Sequence, residues 1–251
     1  MIGLIAAMAE ERNALLRHIK GWKRVQVEGL RSIYFEFPDK ACVLVTSGMG
    51  VQRARVATQK LIQSFSPRWL ISFGIAGAVE DELQIGDVIA VRSVCQLNES
   101  TLTLDTLKPL QFWSDDGMAL AKQELAIHNA NLLTGTAVTT KGTQPALNMF
   151  EGMDHPILEM ETAGIAQVAE ENRIPLSALR AISDGPRAPL PFDLGVMMDD
   201  HANLRAGRLV MEVMRHPRIA LKFSQMQRNA RIAADRVAIA LLALIKQATL
   251  T

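Results

Sequence analysis

The sequence predicts an α/β fold of parallel crossovers with inserted hairpins, and three observations carry this. Short apolar runs alternate with amphipathic segments through the first 90 residues. Glycine clusters end apolar runs, at Ser47-Gly48-Met49-Gly50 before a helix and at Gly74-Ile75-Ala76-Gly77. The 251-residue length and 49% hydrophobic content suit one large α/β domain spanning residues 1–251, with 202–251 a basic helical C-terminal part.

Element by element, Ile2–Ala7 reads as a first buried strand and 9–19 as a helix. Arg31–Phe37 and Ala41–Thr46 are rich in β-branched and aromatic residues, with Pro38-Asp39 between them, which predicts a hairpin. A helix from Val51 to Phe65 follows, then a strand Trp69–Phe73 ended by the Gly74–Gly77 turn, then a strand Val88–Val94. Further on, the pattern gives a helix at 118–129, a strand Gly135–Thr140, a polar loop at 140–145, a helix Met160–Asn172 and a strand Leu176–Ile182. A loop rich in proline and aspartate, 184–200, leads to a helix at 202–215, a break at Pro217 and a long helix to about Gln247.

Composition excludes several classes. A net charge of +1 gives no global case for nucleic-acid binding. Cys42 and Cys95 lie in apolar runs and read as small buried hydrophobes rather than ligands or a disulfide, and no Cys/His group has zinc spacing. The first strand has no basic leader before it, and no uncharged apolar stretch reaches bilayer length, so a cytoplasmic location is expected.

Four clusters stand out at element ends: Met8-Ala9-Glu10-Glu11-Arg12, Gly74-Ile75-Ala76-Gly77, Leu158-Glu159-Met160-Glu161-Thr162-Ala163-Gly164, and Leu179-Arg180-Ala181-Ile182-Ser183-Asp184-Gly185. Acidic residues in a first helical turn are expected from the helix dipole alone. A carboxylate beside a turn also suits two adjacent ribose hydroxyls, because it offers only acceptors. Carboxyl ends of parallel strands are where ligands bind, which gives Ser183-Asp184 a second meaning. Singly each cluster is ambiguous; together their order is distinctive.

That order resembles the nucleoside phosphorylase/nucleosidase superfamily, and within it the methylthioadenosine/S-adenosylhomocysteine nucleosidases, over residues 1 to about 185. The resemblance implies a three-layer α/β/α fold around a central mixed, twisted sheet, a homodimer, and cleavage of a purine nucleoside's N-glycosidic bond. It implies that Asp184 is the general acid at the purine and that Ser183 orients it. It implies that Glu161 binds the ribose hydroxyls with Met160 packed on the sugar, and that Glu11 positions the attacking water with Arg180 nearby. Ile75 and Gly77 fall in its substrate-binding turn. No metal or organic cofactor is implied. An arginine and a serine that hold phosphate in related phosphorylases are matched here by Ser72 and Ile75, which favours water over phosphate as the nucleophile. Phosphorolysis stays open through Arg12, Arg53 and Arg55, as does nucleoside binding without turnover.

Beyond Asp184 the sequence departs from ordinary nucleosidases. Between Arg205 and Arg236 eight Lys or Arg residues face only Glu212 and Asp235, interleaved with apolar residues. Such a helix suits either packing on the domain or an anionic membrane surface. This tail resembles that of the hopanoid-biosynthesis-associated phosphorylase-like proteins, which implies an adenosine with a bulky apolar 5′ group.

Overall fold

A computed structural model describes residues 1–98, 103–111, 113, 118, 125, 127–135, 153–186 and 217–247. In chain order these form β1 (Ile2–Ala6), α1 (Ala9–Arg17), β2 (Lys23–Val27), β3 (Leu30–Glu36), β4 (Ala41–Thr46), α2 (Val51–Phe65), β5 (Trp69–Ala78), β6 (Val88–Asn98), β7 (Thr103–Leu104), β8 (Lys108–Pro109), β9 (Ile127–Thr134), β10 (Ile157–Glu159), α3 (Thr162–Glu171), β11 (Leu176–Asp184) and α4 (Pro217–Gln247).

The strands form one mixed sheet in the order β10-β9-β6-β11-β5-β1-β4-β3-β2, with β7 and β8 on β6. β1 lies parallel to both β4 and β5, and β5 is parallel to β11. β2, β3 and β4 are joined as antiparallel hairpins, and β11 runs antiparallel to β6. β10 pairs with β9 on one side and with β5 on the other, so this half of the sheet closes on itself.

Helices cover both faces. Ala14 and Leu15 of α1 and Val237, Leu241 and Ile245 of α4 pack with Ile2, Leu4, Ile71 and Phe73. On the opposite face Ala54, Ala57 and Leu61 of α2 and Ile165 and Ala169 of α3 pack with Ile5, Val43, Val45 and Leu70. Successive strand side chains point to opposite faces, so strands covered on both sides are continuously apolar. β1 is buried at every position. The architecture is therefore the expected three-layer α/β/α arrangement around a mixed sheet.

Local expectations fare unevenly. Pro38-Asp39 is the two-residue turn of the β3–β4 hairpin, closed by hydrogen bonds between Phe37 and Lys40. The strand expected to stop at Phe73 instead continues to Ala78, and Gly74–Gly77 lies inside β5 rather than in a turn. Pairing with β11 carries β5 through those glycines. The helix expected over 118–129 is corrected at its end, where β9 begins at Ile127, and Gly135, expected to open a strand, follows the end of β9 at Thr134. Alternating Ile-His-Asn-Ala-Asn-Leu-Leu gains its strand partners β6 and β10 only from the tertiary fold. The expectations for 136–140, 140–145, 187–200 and 202–215 lie outside the described residues.

The long C-terminal helix is present, and from Ala233 to Ile245 its apolar face is buried in the core. That stretch has its hydrophobic partner in the domain itself. Among the described residues no helix is long and apolar enough to cross a membrane. Cys42 and Cys95 are free and buried, and burial pushes their thiols up to about 12 and about 11, as expected of inert packing residues.

Where α3 crosses α2, Gly164 permits the contact: a β-carbon built there would stand 2.4 Å from the Val51 carbonyl oxygen. The obstacle is backbone, so the helices must separate to relieve it. Gly164→Ala is expected to destabilise the protein by about 1–3 kcal/mol, read as a lower urea midpoint. An unchanged midpoint would show that this crossing is not tight.

Candidate active site

The carboxyl-terminal ends of β1 and β4, the middle of β5 and of β11 and the N-terminus of α3 meet at a small cleft. Its lining includes Glu11, Ser47, Ser72, Gly74, Ile75, Glu161 and Arg180. Four residues expected from sequence, Glu11, Ile75, Glu161 and Arg180, are thus brought to one cavity. None of Arg12, Arg53 and Arg55 is among its lining.

Glu11 is the third residue of α1, and its carboxylate folds back on the helix start. Oε2 accepts from the Ala7 and Met8 backbone N–H groups at 2.9 and 2.8 Å, and Oε1 accepts from Ile75 N–H at 3.0 Å. Reaching back to the N-cap N–H is half of the reciprocal arrangement that often starts helices. Here the side chain also crosses to β5, and Gly74 makes that possible. A β-carbon on Gly74 would lie 2.3 Å from Glu11 Oε1. Burial raises the Glu11 pKa, opposed by those three N–H donors and by the Arg180 charge.

Glu161 precedes α3. Its Oε1 accepts from Gly50 N–H at 2.8 Å, and its Oε2 lies 3.3 Å from Met160 N. The glycine turn before α2 therefore directs a donor at a side chain of the protein. Burial pushes Glu161 up to about 8, reinforced by the negative charges of Glu159 and Glu11 and opposed by Gly50 N–H and Arg180.

Arg180 is buried in β11, yet it does not stand unpaired. Nη2 donates to Glu159 Oε2 at 2.9 Å, to Ser72 Oγ at 2.7 Å and to Thr162 Oγ1 at 2.5 Å, while Nη1 donates to the Leu179 carbonyl at 2.9 Å. The Arg180 and Glu159 side chains are 3% and 2% exposed, so this is a fully buried ion pair. Glu159, Ser72 and Thr162 were not singled out by the sequence reading as partners of Arg180. The available signal was a lone charge in each of two apolar strand runs, Ile157-Leu158-Glu159 and Leu179-Arg180-Ala181, because buried charges must be paired.

Ser183 and Asp184 end β11. Register passes from Ile182 opposite Ala76 to Asp184 opposite Gly77, leaving Ser183 as the extra residue of a bulge. Bulges re-aim side chains beside sites. Ser183 Oγ lies 2.7 Å from Asp184 Oδ1 and 3.2 Å from the Ala76 carbonyl oxygen. Asp184 is half-buried. Gly77 belongs to the ladder, opposite both Asp184 and Leu158. Asp184, Ser183, Gly77 and Met160 stand outside the lining of the cleft itself.

A cleft with two carboxyl groups, Glu11 buried and Glu161 half-buried, on a three-layer α/β/α scaffold defines the class. The phosphorylase superfamily model matches residues 1–215, and the chain belongs to that superfamily. Among its relatives, the 5′-methylthioadenosine/S-adenosylhomocysteine nucleosidase of Oceanobacillus iheyensis is 30% identical over 208 residues, 76% of this chain and 90% of that protein. The enzyme of the same description from Shewanella loihica is 26% identical over 232 residues, 86% of this chain and 99% of that protein. Among solved structures, the nucleosidase of S. pneumoniae with a transition-state inhibitor superposes with a TM-score of 0.70 at 23% identity, covering 98% of each chain. Futalosine hydrolase of Helicobacter pylori gives 0.70 at 18% identity, covering 98% of this chain and 97% of that one. These superpositions establish the shared fold.

The raised Glu161 pKa has a thermodynamic consequence. Between the ordinary carboxyl range and about 8, the folded protein holds a proton that the unfolded chain has released. The Glu161 contribution to the free energy of unfolding therefore falls as pH rises through that window. Glu161→Gln removes this contribution, so the Tm advantage of the variant over the parent is expected to grow from about pH 5 to about pH 8. A pH-independent difference between the two melting curves would contradict the assignment.

Proposed function

We propose that this protein hydrolyses the N-glycosidic bond of a 5′-substituted adenosine. The observation that carries the reading is Glu11: a buried carboxylate held by three backbone donors, facing a cleft shared with Glu161 and Arg180. The names of its relatives, nucleosidases of methylthioadenosine and S-adenosylhomocysteine, support the same substrate class.

In this mechanism Glu161 accepts from the two ribose hydroxyls. Two O–H donors favour its ionised form, so substrate binding draws the proton off this carboxyl. Asp184, oriented by Ser183, donates to the purine N7 as the bond to the anomeric carbon breaks, and the bonding electron pair leaves with the base. The sugar acquires oxocarbenium character, which the negative charge of Glu11 stabilises. A water held by Glu11 adds to the anomeric carbon and yields its proton to that carboxylate, giving free purine and a sugar with an anomeric hydroxyl. Met160 packs against the sugar, and Ile75 bounds the cleft.

Phosphate is less well suited. Arg180 is already neutralised by Glu159, and the Gly50 N–H is taken by Glu161. A dianion would enter beside two carboxyl groups with the nearest cation committed elsewhere. The 5′ group, the homodimer and contact of the basic tail with a membrane remain part of the proposal. The tail segment 187–216 lies outside the described residues, whereas the α4 face from Ala233 onward is spent on the core.

Purine release from methylthioadenosine or adenosine without phosphate is the expected result; release that requires phosphate would move the reading to phosphorolysis. No release from these or bulkier 5′-substituted adenosines, with binding retained, would make the protein a nucleoside binder. Asp184→Asn is expected to lower kcat by about 10²–10⁴-fold while leaving nucleoside binding within about threefold. Full activity in that variant would remove Asp184 from the mechanism.

A further inference from the structure

Glu161 occupies the N-cap position of α3, yet its side chain makes no cap hydrogen bond. Its carboxylate turns instead to Gly50 N–H and the cleft. An N-cap side chain ordinarily satisfies an N–H of the first helical turn. Left bare inside the protein, such donors are costly.

Here another residue supplies the acceptors. Glu159, the last residue of β10, accepts from Glu161 N–H at 3.1 Å and from Thr162 N–H at 3.0 Å. It also accepts from Thr134 Oγ1, which in turn accepts Ala163 N–H at 3.0 Å. The same carboxylate holds Thr162 Oγ1 at 2.8 Å and Arg180 Nη2 at 2.9 Å. One buried side chain therefore joins β9, β10, β11 and the start of α3.

We propose that Glu159 is the positioning residue of the site: by capping α3 in place of Glu161 and by neutralising Arg180, it frees the Glu161 carboxylate to meet the sugar. The inference rests on the proposed nucleosidase reading. Without the Glu159 charge, Arg180 would face Glu11 and Glu161 as an uncompensated cation and bind one of them directly. The groups facing Glu161 are Glu159 from β10, Glu11 from α1, Arg180 from β11 and the Gly50 N–H at the start of α2. Neutralising Glu159 removes a negative neighbour and unmasks a positive one, and both changes favour ionised Glu161.

The test is Glu159→Gln in the full chain, which keeps the shape and removes the charge. Carbon-13 NMR of labelled glutamate carboxyls, with Glu161 assigned through Glu161→Gln, is expected to show Glu161 titrating at lower pH in the variant. Purine release is expected to fall about 100-fold in kcat, the scale of a misplaced reacting group. An unmoved Glu161 titration with rates within about threefold of the parent would overturn the proposal. The NMR readout needs no substrate. A parent protein that releases no purine would therefore defeat the nucleosidase reading, while a shifted titration would still uphold the placement of Glu161 by Glu159. If Glu159→Gln does not fold, Glu159→Asp decides. Its shorter carboxylate cannot span Arg180 and the α3 amides together, so exchange of the Thr162 and Ala163 amides should quicken at least about tenfold. Unchanged exchange there would overturn the proposal.

Discussion

Burying the Arg180 guanidinium inside a sheet is the constraint around which this half of the molecule is arranged. A desolvated cation in the middle of β11 is tolerable only if it is paired and its donors are satisfied. Glu159, Ser72, Thr162 and the Leu179 carbonyl meet that demand. They come from β10, β5, the start of α3 and β11, so satisfying one side chain fixes the relative placement of four elements. β10 is only three residues long. The charge pair at its end joins it to β11, while its own ladders hold it to β9 and β5.

The same pairing organises the cleft electrically. With Arg180 committed to Glu159, the acidic groups left on the cleft wall are Glu11 and Glu161. Both are raised by burial, and each is partly relieved by backbone N–H donors. Those donors come from the segments between strand and helix and, for Ile75, from within β5, where small residues let carboxylate and backbone approach. Gly74 and Gly50 serve this purpose differently. The first leaves room for Glu11 against β5, whereas the second presents its N–H to Glu161 with a positive φ of 101°.

Much of this was legible from residues alone, and the limits are physical. Strands flanked by glycine and amphipathic helices announced themselves by periodicity, and α2 matches its expected span of 51–65. Glu11 and Glu161 stood out as acids at helix starts. Ambiguity entered where tertiary pairing overrides local pattern: the glycines of β5 look like a turn until β11 and Glu11 are in place. β9 is the second case, since alternating Asn and His signal weakly until β6 lies beside them. Lys23–Val27 was also missed, because an edge strand with exposed Lys23 and Arg24 carries little hydrophobic signal. Glu159 was visible only as one of two acids flanking Met160, and what separates their roles is which carboxylate turns inward to Arg180.

Charge balance also bears on the choice of nucleophile. An oxocarbenium-like sugar is favoured by net negative surroundings, and so is a neutral water that must give up a proton. A phosphate dianion needs the reverse: unsatisfied donors or a cation with spare valence. In this cleft the Gly50 and Ile75 N–H groups already point at carboxylates, and Arg180 already has an anion. Admitting phosphate would require breaking at least one of these interactions and moving a buried charge. Water requires neither, and on the proposed reading the selectivity between the two nucleophiles follows from the internal pairing of Arg180 as much as from any residue that touches the nucleophile.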